Sequence, residues 1–373
     1  MKIEMKITCS KNLLLENLGL VSRVSGAKTT VPILECCLLV ASKEGLVLTT
    51  KDNEMAIKTN NIESDVEVEG SIALDTKVFF DIVRGLPGPN IEIFSDEKNL
   101  TTIKSGKSEF KILGMDGADF PEWPQTNKNQ EYKLPSAIFK NMIRQTVFSV
   151  SQDDSRPTLK GQLLDIKDGV LTLVAVDGFR ISLRNHLLDT CFGDVKMVIP
   201  GRSMSELGKV LSPDADSFVN FYYNDNHTLF ELENCTILTN LLEGEFLNYE
   251  NMFSNETTTI ITLDRAEACE SIDRAMLISK DAKKSPVKLK IEESIMSISS
   301  NAELGSSYEE MGILQDGNNI EIAFNPKYLT EAMKVLDYEK ITMSFTSPLS
   351  PCVIQVEGSD AYKYLVLPLR LRN

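Results

Sequence analysis

The chain has 373 residues, 42% of them hydrophobic and 25% charged, and a formal net charge of −15. That length suits two or three domains, each with enough apolar mass for a packed core, and no apolar run approaches the ~20 residues of a membrane span. Seven scattered cysteines without a CxxC pair argue against a disulfide framework or a zinc site and point to reduced thiols in a cytoplasm. The only histidines, His186 and His227, each sit beside Asn and read as exposed turn residues. That leaves little material for His-based acid–base work or metal ligation, so no catalytic residue, cofactor or metal is expected. The acidic balance also points away from nucleic acid unless positive charge is segregated.

Along the chain the predicted elements repeat. Residues 1–6 alternate like a strand and lack the apolar region of a signal peptide. Residues 5–10 form a strand, with Ser10 as a candidate N-cap of the helix that follows. Residues 72–75 are a short strand that opens a second helix ending at Leu86; strand 91–94 follows, and Phe120 and Pro121 close the pattern. It restarts at 132–136, with strand 198–201, a helix ending at Leu211, strand 218–221, and Phe246 and Leu247 at the close. The third start is 260–264, where Asp264 and Glu267 make a capping box. Residues 322–325 then open a helix ending at Leu336, followed by strand 341–345. Equivalent points lie about 125 residues apart, so the chain is three copies of one unit of ordinary domain size. The domains expected are 1–127, 128–254 and 255–373, with borders in the polar stretches 125–130 and 254–257. Two helices among several alternating strands per unit make the class α+β.

The second helix of each unit carries a basic residue, an acidic one four later and a basic one seven later. The sets are Lys77, Asp81, Arg84; Arg202, Glu206, Lys209; and Lys327, Glu331, Lys334. These positions share a helix face, so each unit presents a net-positive stripe. Such pairs are also ordinary helix decoration worth ~0.3–0.5 kcal/mol; recurrence in register across three copies is what favours a phosphate-facing role. The first helices agree less well: Lys140 and Arg144 share a face, whereas Arg265 and Arg274 point oppositely. Nearby loops add Lys28, Arg156 and the cluster Lys280, Asp281, Ala282, Lys283, Lys284. Without a recognition helix, contact with double-stranded DNA is expected at phosphates, without sequence reading. Residues 177–180 and 200–203 match neither GxxxxGK[ST] nor GxGxxG and read as turns, so an enzyme is not expected.

Several stretches resemble one family. They are Val31-Pro32-Ile33-Leu34; the run Asp75-Thr76-Lys77-Val78-Phe79-Phe80-Asp81-Ile82-Val83-Arg84-Gly85-Leu86-Pro87; Ser105-Gly106-Lys107-Ser108; and Ala118-Asp119-Phe120-Pro121. The middle unit adds Arg156-Pro157-Thr158-Leu159-Lys160-Gly161 and Val174-Ala175-Val176-Asp177-Gly178-Phe179-Arg180, and the end adds Tyr364-Leu365-Val366-Leu367-Pro368-Leu369-Arg370-Leu371. In order and spacing these resemble the beta subunit of bacterial DNA polymerase III, the beta sliding clamp. The resemblance implies a non-catalytic processivity factor: a head-to-tail homodimeric ring of six domains around duplex DNA, helices lining the hole.

It further implies DNA-facing Lys28, Lys77, Arg84, Arg144, Arg156, Arg202, Lys209, Arg274, Lys280, Lys283, Lys284 and Lys334. A partner-peptide pocket would use Leu159, Asp177, Gly178, Phe179, Arg180, Ile181, Leu247, Met252, Tyr328, Leu349, Pro351, Leu365, Val366, Leu367, Pro368 and Leu369. The apolar end of the chain also reads as a last core strand, in which alternation would bury half of these side chains. Phe110 and Ile112 are implied at the dimer interface, or else belong to a strand core. Partners implied are the replicative polymerase catalytic subunit, an ATP-using clamp loader and repair proteins carrying clamp-binding peptides, with no membrane. The chain departs from the family at Phe179, where many members have His, at Leu247 in place of Pro, and at Asn251 in place of Arg. The rival reading is a repeat-built interaction scaffold that does not encircle DNA.

Overall fold

Strand after strand shows the two-residue rhythm of burial that pleated backbone imposes when one face meets a core. Ile3–Ser10 buries Met5, Ile7 and Cys9, and Lys340–Phe345 buries Ile341, Met343 and Phe345. The computed structural model describes residues 2–24, 29–124, 128, 131–189, 193–253, 256–278 and 286–370.

The first repeat contains β1 (Ile3–Ser10), α1 (Lys11–Val21), β2 (Cys36–Ser42), β3 (Gly45–Lys51), β4 (Met55–Thr59), β5 (Ser64–Val68), β6 (Gly70–Asp75), α2 (Thr76–Gly85), β7 (Asn90–Asp96), β8 (Leu100–Ser105), β9 (Ser108–Leu113) and β10 (Met115–Asp116). The second contains β11 (Tyr132–Pro135), α3 (Ser136–Arg144), β12 (Gly161–Lys167), β13 (Val170–Val176), β14 (Arg180–Leu187), β15 (Val195–Pro200), α4 (Gly201–Val210), β16 (Phe218–Tyr223), β17 (His227–Glu231) and β18 (Cys235–Asn240). The third contains β19 (Thr259–Asp264), α5 (Arg265–Ala275), β20 (Val287–Glu292), β21 (Ile295–Ala302), β22 (Gly305–Gly312), β23 (Leu314–Gly317), β24 (Ile320–Phe324), α6 (Pro326–Lys334), β25 (Lys340–Phe345), β26 (Cys352–Val356) and β27 (Ser359–Val366). Apart from β5, β10 and β23, the three series match element for element.

Compactness divides the chain differently from repetition. One unit comprises residues 1–138 and 209–241, and the other comprises residues 139–208 and 242–373. The cause is the sheets. In the first unit a five-stranded sheet runs β5-β1-β7-β8-β9, and a nine-stranded one runs β10-β6-β2-β3-β4-β18-β17-β16-β11. In the second unit a nine-stranded sheet runs β15-β12-β13-β14-β27-β26-β25-β19-β23, beside a four-stranded sheet β22-β21-β20-β24. The second repeat thus gives one half-sheet to each unit, joined through antiparallel pairs β4–β18 (Ile57 opposite Ile237) and β14–β27 (Ile181 opposite Leu365).

The second helices start where expected. Asp75 Oδ1 accepts from the Val78 N–H at 2.8 Å, and Asn325 Oδ1 accepts from the Lys327 N–H at 3.1 Å, satisfying N-terminal donors. Leu86, Leu211 and Leu336 lie buried just past the three helix ends. At the first helices, Asp264 caps through the Glu267 N–H at 2.8 Å, but Ser10 makes no side-chain cap bond. Two further expectations are corrected. His186 and His227 lie on β14 and β17 with partial burial, not in exposed turns, because each continues its strand's ladder opposite Leu171 and Asn240. Residues 200–203 are no turn either: β15 runs directly into α4 at Gly201.

The six described cysteines are all buried free thiols, and burial pushes those of Cys9, Cys36 and Cys269 up to about 11 and that of Cys235 up to about 12. In the first unit Phe221 is fully buried between Tyr132, stacked at 4.8 Å, and Phe230 at 5.9 Å. Phe221→Ala is expected to lower the unfolding free energy by about 3–5 kcal/mol, read by urea denaturation of the purified variant. A loss under 1 kcal/mol would mean that this aromatic stack does not hold the sheet.

Candidate peptide cleft and basic helix faces

In the second unit, pairing of β14 with β27 brings together apolar side chains distant in sequence. Leu159, Ile181 and Leu365 are buried in one cluster with Val174, Val176, Val198, Phe246 and Tyr249, while Leu242, Leu247, Phe253 and Val353 pack on it half-exposed. Val366 is a correction. Alternation along β27 turns it into the core shared by Tyr364, Ile354 and Phe324, fully buried, so it does not line the cleft with Leu365.

A turn closes one side. Gly178 adopts φ +90°, and Asp177 Oδ1 accepts from the N–H groups of Phe179 (2.9 Å) and Arg180 (3.1 Å). This lifts Phe179 out until it is 57% exposed and stacked at 6.5 Å on Tyr328. The Phe179 carbonyl accepts from the Leu367 N–H at 2.9 Å, fixing the chain's end beside the turn. Beneath lies Arg180, buried and fully engaged. Its Nε donates to Asp177 at 2.7 Å, its guanidinium donates to Glu331 (2.5 Å), the Phe148 carbonyl (2.8 Å) and the Tyr364 hydroxyl (3.4 Å), and it lies 4.4 Å from the Tyr328 ring centroid. Burial alone would lower the Arg180 pKa, but Tyr364, Glu331 and Asp177 outweigh it and hold the charge more firmly than usual. Burial pushes the Tyr364 phenol well above its ordinary range. Met252, Leu349 and Leu367 are exposed, and Pro351, Pro368 and Leu369 are half-buried. The buried cluster, the half-exposed side chains packed on it and the turn bearing Phe179 together give this side of the unit an apolar face with few polar groups.

Sequence reasoning missed Glu331 and Phe148. Glu331 is the acidic member of the third stripe by spacing, but its stronger bond is to Arg180, with Lys327 at 3.7 Å. No sequence signal marks the Phe148 carbonyl. The other basic residues are largely ion-paired. Arg84 meets Asp81 at 2.7 Å, Arg144 meets Asp337 at 2.5 Å, Arg274 meets Glu309 at 2.8 Å, and Lys334 meets Asp273 at 2.8 Å, linking α5 and α6. Lys77, Arg156 and Lys209 are exposed and Arg202 half-buried, whereas Lys28, Lys280, Lys283 and Lys284 fall outside the described residues. On β9, an edge strand, Phe110 is 44% exposed and Ile112 half-buried, so Phe110 is not core.

Comparison with known proteins decides the family. Residues 5–124, 133–248 and 250–370 match, in order, the N-terminal, central and C-terminal domains of the DNA polymerase III beta subunit. Beta sliding clamps of Halalkalibacterium halodurans and Bacillus subtilis are each 33% identical to the chain over 98% of its length and 100% of theirs. The chain belongs to the DNA polymerase III beta subunit family. A crystal structure of a family member from Eubacterium rectale superposes with a TM-score of 0.94 at 35% identity, covering 98% of this chain and 100% of that one. The Bacillus subtilis clamp gives 0.95 at 32%, covering 99% and 100%. The chain is therefore a DNA sliding clamp, a non-catalytic processivity subunit, built of three clamp-type α+β repeats.

The Arg180 network generates a test of this beta subunit's cleft floor. Arg180→Ala leaves Asp177 and Glu331 facing each other without their cation and is expected to destabilise by about 3–5 kcal/mol. Thermal denaturation checks it, and Lys327→Ala, which removes only an exposed partner of Glu331, is expected to change little.

Proposed function

We propose that two copies close head to tail into a ring around duplex DNA and that the cleft on Arg180 captures peptide motifs of replication and repair proteins. The three domains are taken as 1–127, 128–254 and 255–373. One observation carries the ring: the joint between repeats occurs twice within the chain and is left open once. Strand β4 of the first repeat pairs with β18 of the second, and β14 of the second pairs with β27 of the third. By the same correspondence β22 of the third repeat should pair with β9 of a first. Among the described residues both end their sheets without a strand partner on one side. Apolar groups stand on both edges: Phe110 and Leu113 on β9 (44% and 75% exposed), Tyr308 on β22 (64%) with Leu304 just before it (68%). An exposed apolar edge strand is a template for pairing, and a heterologous contact closing on two copies makes a finite ring.

Lys77, Arg84, Arg144, Arg156, Arg202, Lys209, Arg274 and Lys334, with Lys28, Lys280, Lys283 and Lys284, face DNA phosphates. The carboxylate partners of Arg84, Arg144, Arg274 and Lys334 are surface groups that a phosphate can replace, which gives weak binding without sequence preference. The polymerase catalytic subunit docks by its peptide, repair proteins share the cleft, and a separate loader uses ATP to open a joint. The protein acts in the cytoplasm; among the described residues no helix is long and apolar enough to cross a membrane.

Retention on nicked circular DNA, against the same DNA linearised, tests encirclement in the presence of a clamp loader and ATP. Circles should keep the protein and linear DNA lose it; equal retention on both means surface binding, and none on either supports the scaffold. Phe110→Glu places a charge in the β9 joint and is expected to yield monomer where the unmodified chain is dimeric. Sedimentation velocity reads this directly, and an unchanged dimer would remove β9 from the interface.

A further inference from the structure

The first unit contains a hollow beside a turn and strand joint built on the same plan as those of the proposed peptide cleft, and we infer that it is a separate docking site for a linear peptide with an apolar anchor followed by basic residues. The inference rests on the cleft reading for the class of ligand and on the first unit's own geometry for the site. The cavity is about 350 Å³, at the small end of ligand pockets.

The correspondence is one of bonds as well as spacing. Asp52 Oδ1 accepts from the N–H groups of Glu54 and Met55, both at 2.8 Å, as Asp177 does from Phe179 and Arg180. The Asp52 N–H donates to the Met55 carbonyl at 2.9 Å, and Asp177 to Arg180 at 3.3 Å. Leu34 donates to the Val31 carbonyl at 3.0 Å, and Leu159 to Arg156 at 3.0 Å. Asn240 donates to the Glu54 carbonyl at 2.9 Å, as Leu367 does to Phe179. Leu238, opposite Ala56, stands where Leu365 stands opposite Ile181. The turn, the short helical turn and the joint strand are therefore all reproduced.

What differs sets the ligand. Met55 replaces Arg180, so the floor lacks its cation, and Glu54 replaces the exposed Phe179. Pro121 and Leu238 retain an apolar base, and among the described lining residues the carboxylates of Glu54 and of Asp52, the latter buried in its turn, stand against the ammonium of Lys51, with His227 also in the lining. An apolar side chain seats on the base, and a following Lys or Arg meets the acidic side of the rim. A peptide with acidic flanks is disfavoured.

Trp123, the chain's single tryptophan, packs against the cluster containing Leu238, and the neighbouring Pro124 lines the hollow. Trp123 itself lines the neighbouring hollow with Lys58, Leu229 and Glu231, so its emission reports on both, and weakening by Glu54→Lys, which touches only this one, assigns the signal. The probe is a synthetic heptapeptide with a Leu-Phe anchor followed by two lysines, compared with a twin carrying two glutamates, titrated into the full chain. The lysine peptide should shift Trp123 emission saturably, equally in the chain and in Phe179→Ala, which impairs only the cleft. Glu54→Lys should weaken that binding roughly fivefold, and the glutamate twin should bind worse. Unmoved Trp123 emission, or a shift abolished by Phe179→Ala, overturns the inference. Calorimetry run alongside separates the two readings: heat lost in Phe179→Ala with silent Trp123 keeps the cleft and sinks this site, whereas a Trp123-linked signal untouched by Phe179→Ala keeps this site alone.

Discussion

A strand's backbone donors and acceptors must find partners, and the partner of a sheet's last strand decides how far the sheet extends. In this chain two of those partners come from the next repeat. Because β4 accepts β18 and β14 accepts β27, sheets of nine strands form where each repeat alone would have about half that number. The cleft is a product of the second joint: Ile181 and Leu365 share a hydrophobic cluster only because they stand opposite each other in its register. A register slip of one residue would put Val366 in the place of Leu365 and turn the cleft face into the core. The same joint places Arg180 against Tyr364, so strand pairing, the buried cation and the turn bearing Phe179 form one cooperative arrangement.

The parts that were legible in the sequence are those governed by local rules. Alternation in residues 5–10 and 341–345, the cap at Asp264, and the recurring interval between short strands all act over a few residues or repeat without alignment. The joints were not legible, since nothing within β4 or β18 names the other; their pairing is a choice among many strands of similar composition. Glu331 shows the same limit at one residue. On its helix it reads as half of an ordinary pair with Lys327, and only the approach of β14 gives it Arg180 instead. Val366 could be read either way until the register fixed which side of β27 meets which core. His186 misled because a neighbouring Asn suggested a turn, whereas the ladder with β13 continues through it.

The acidic balance of the chain and its work on DNA are reconciled by how its cations are held. Arg84, Arg144, Arg274 and Lys334 each rest on a carboxylate at the surface. Where these side chains face the duplex, as proposed, a phosphate must displace that carboxylate, so each contact gains little and is as easily lost. For a protein that binds by affinity alone this would be a defect, because salt would strip it from the duplex. For a closed ring the link is topological, and the phosphate contacts need only keep the duplex centred while it moves. Strong unpaired cations would hinder that motion and attract the chain to nucleic acid before any ring had closed. A net charge of −15 with paired basic stripes therefore fits a clamp better than a basic protein would.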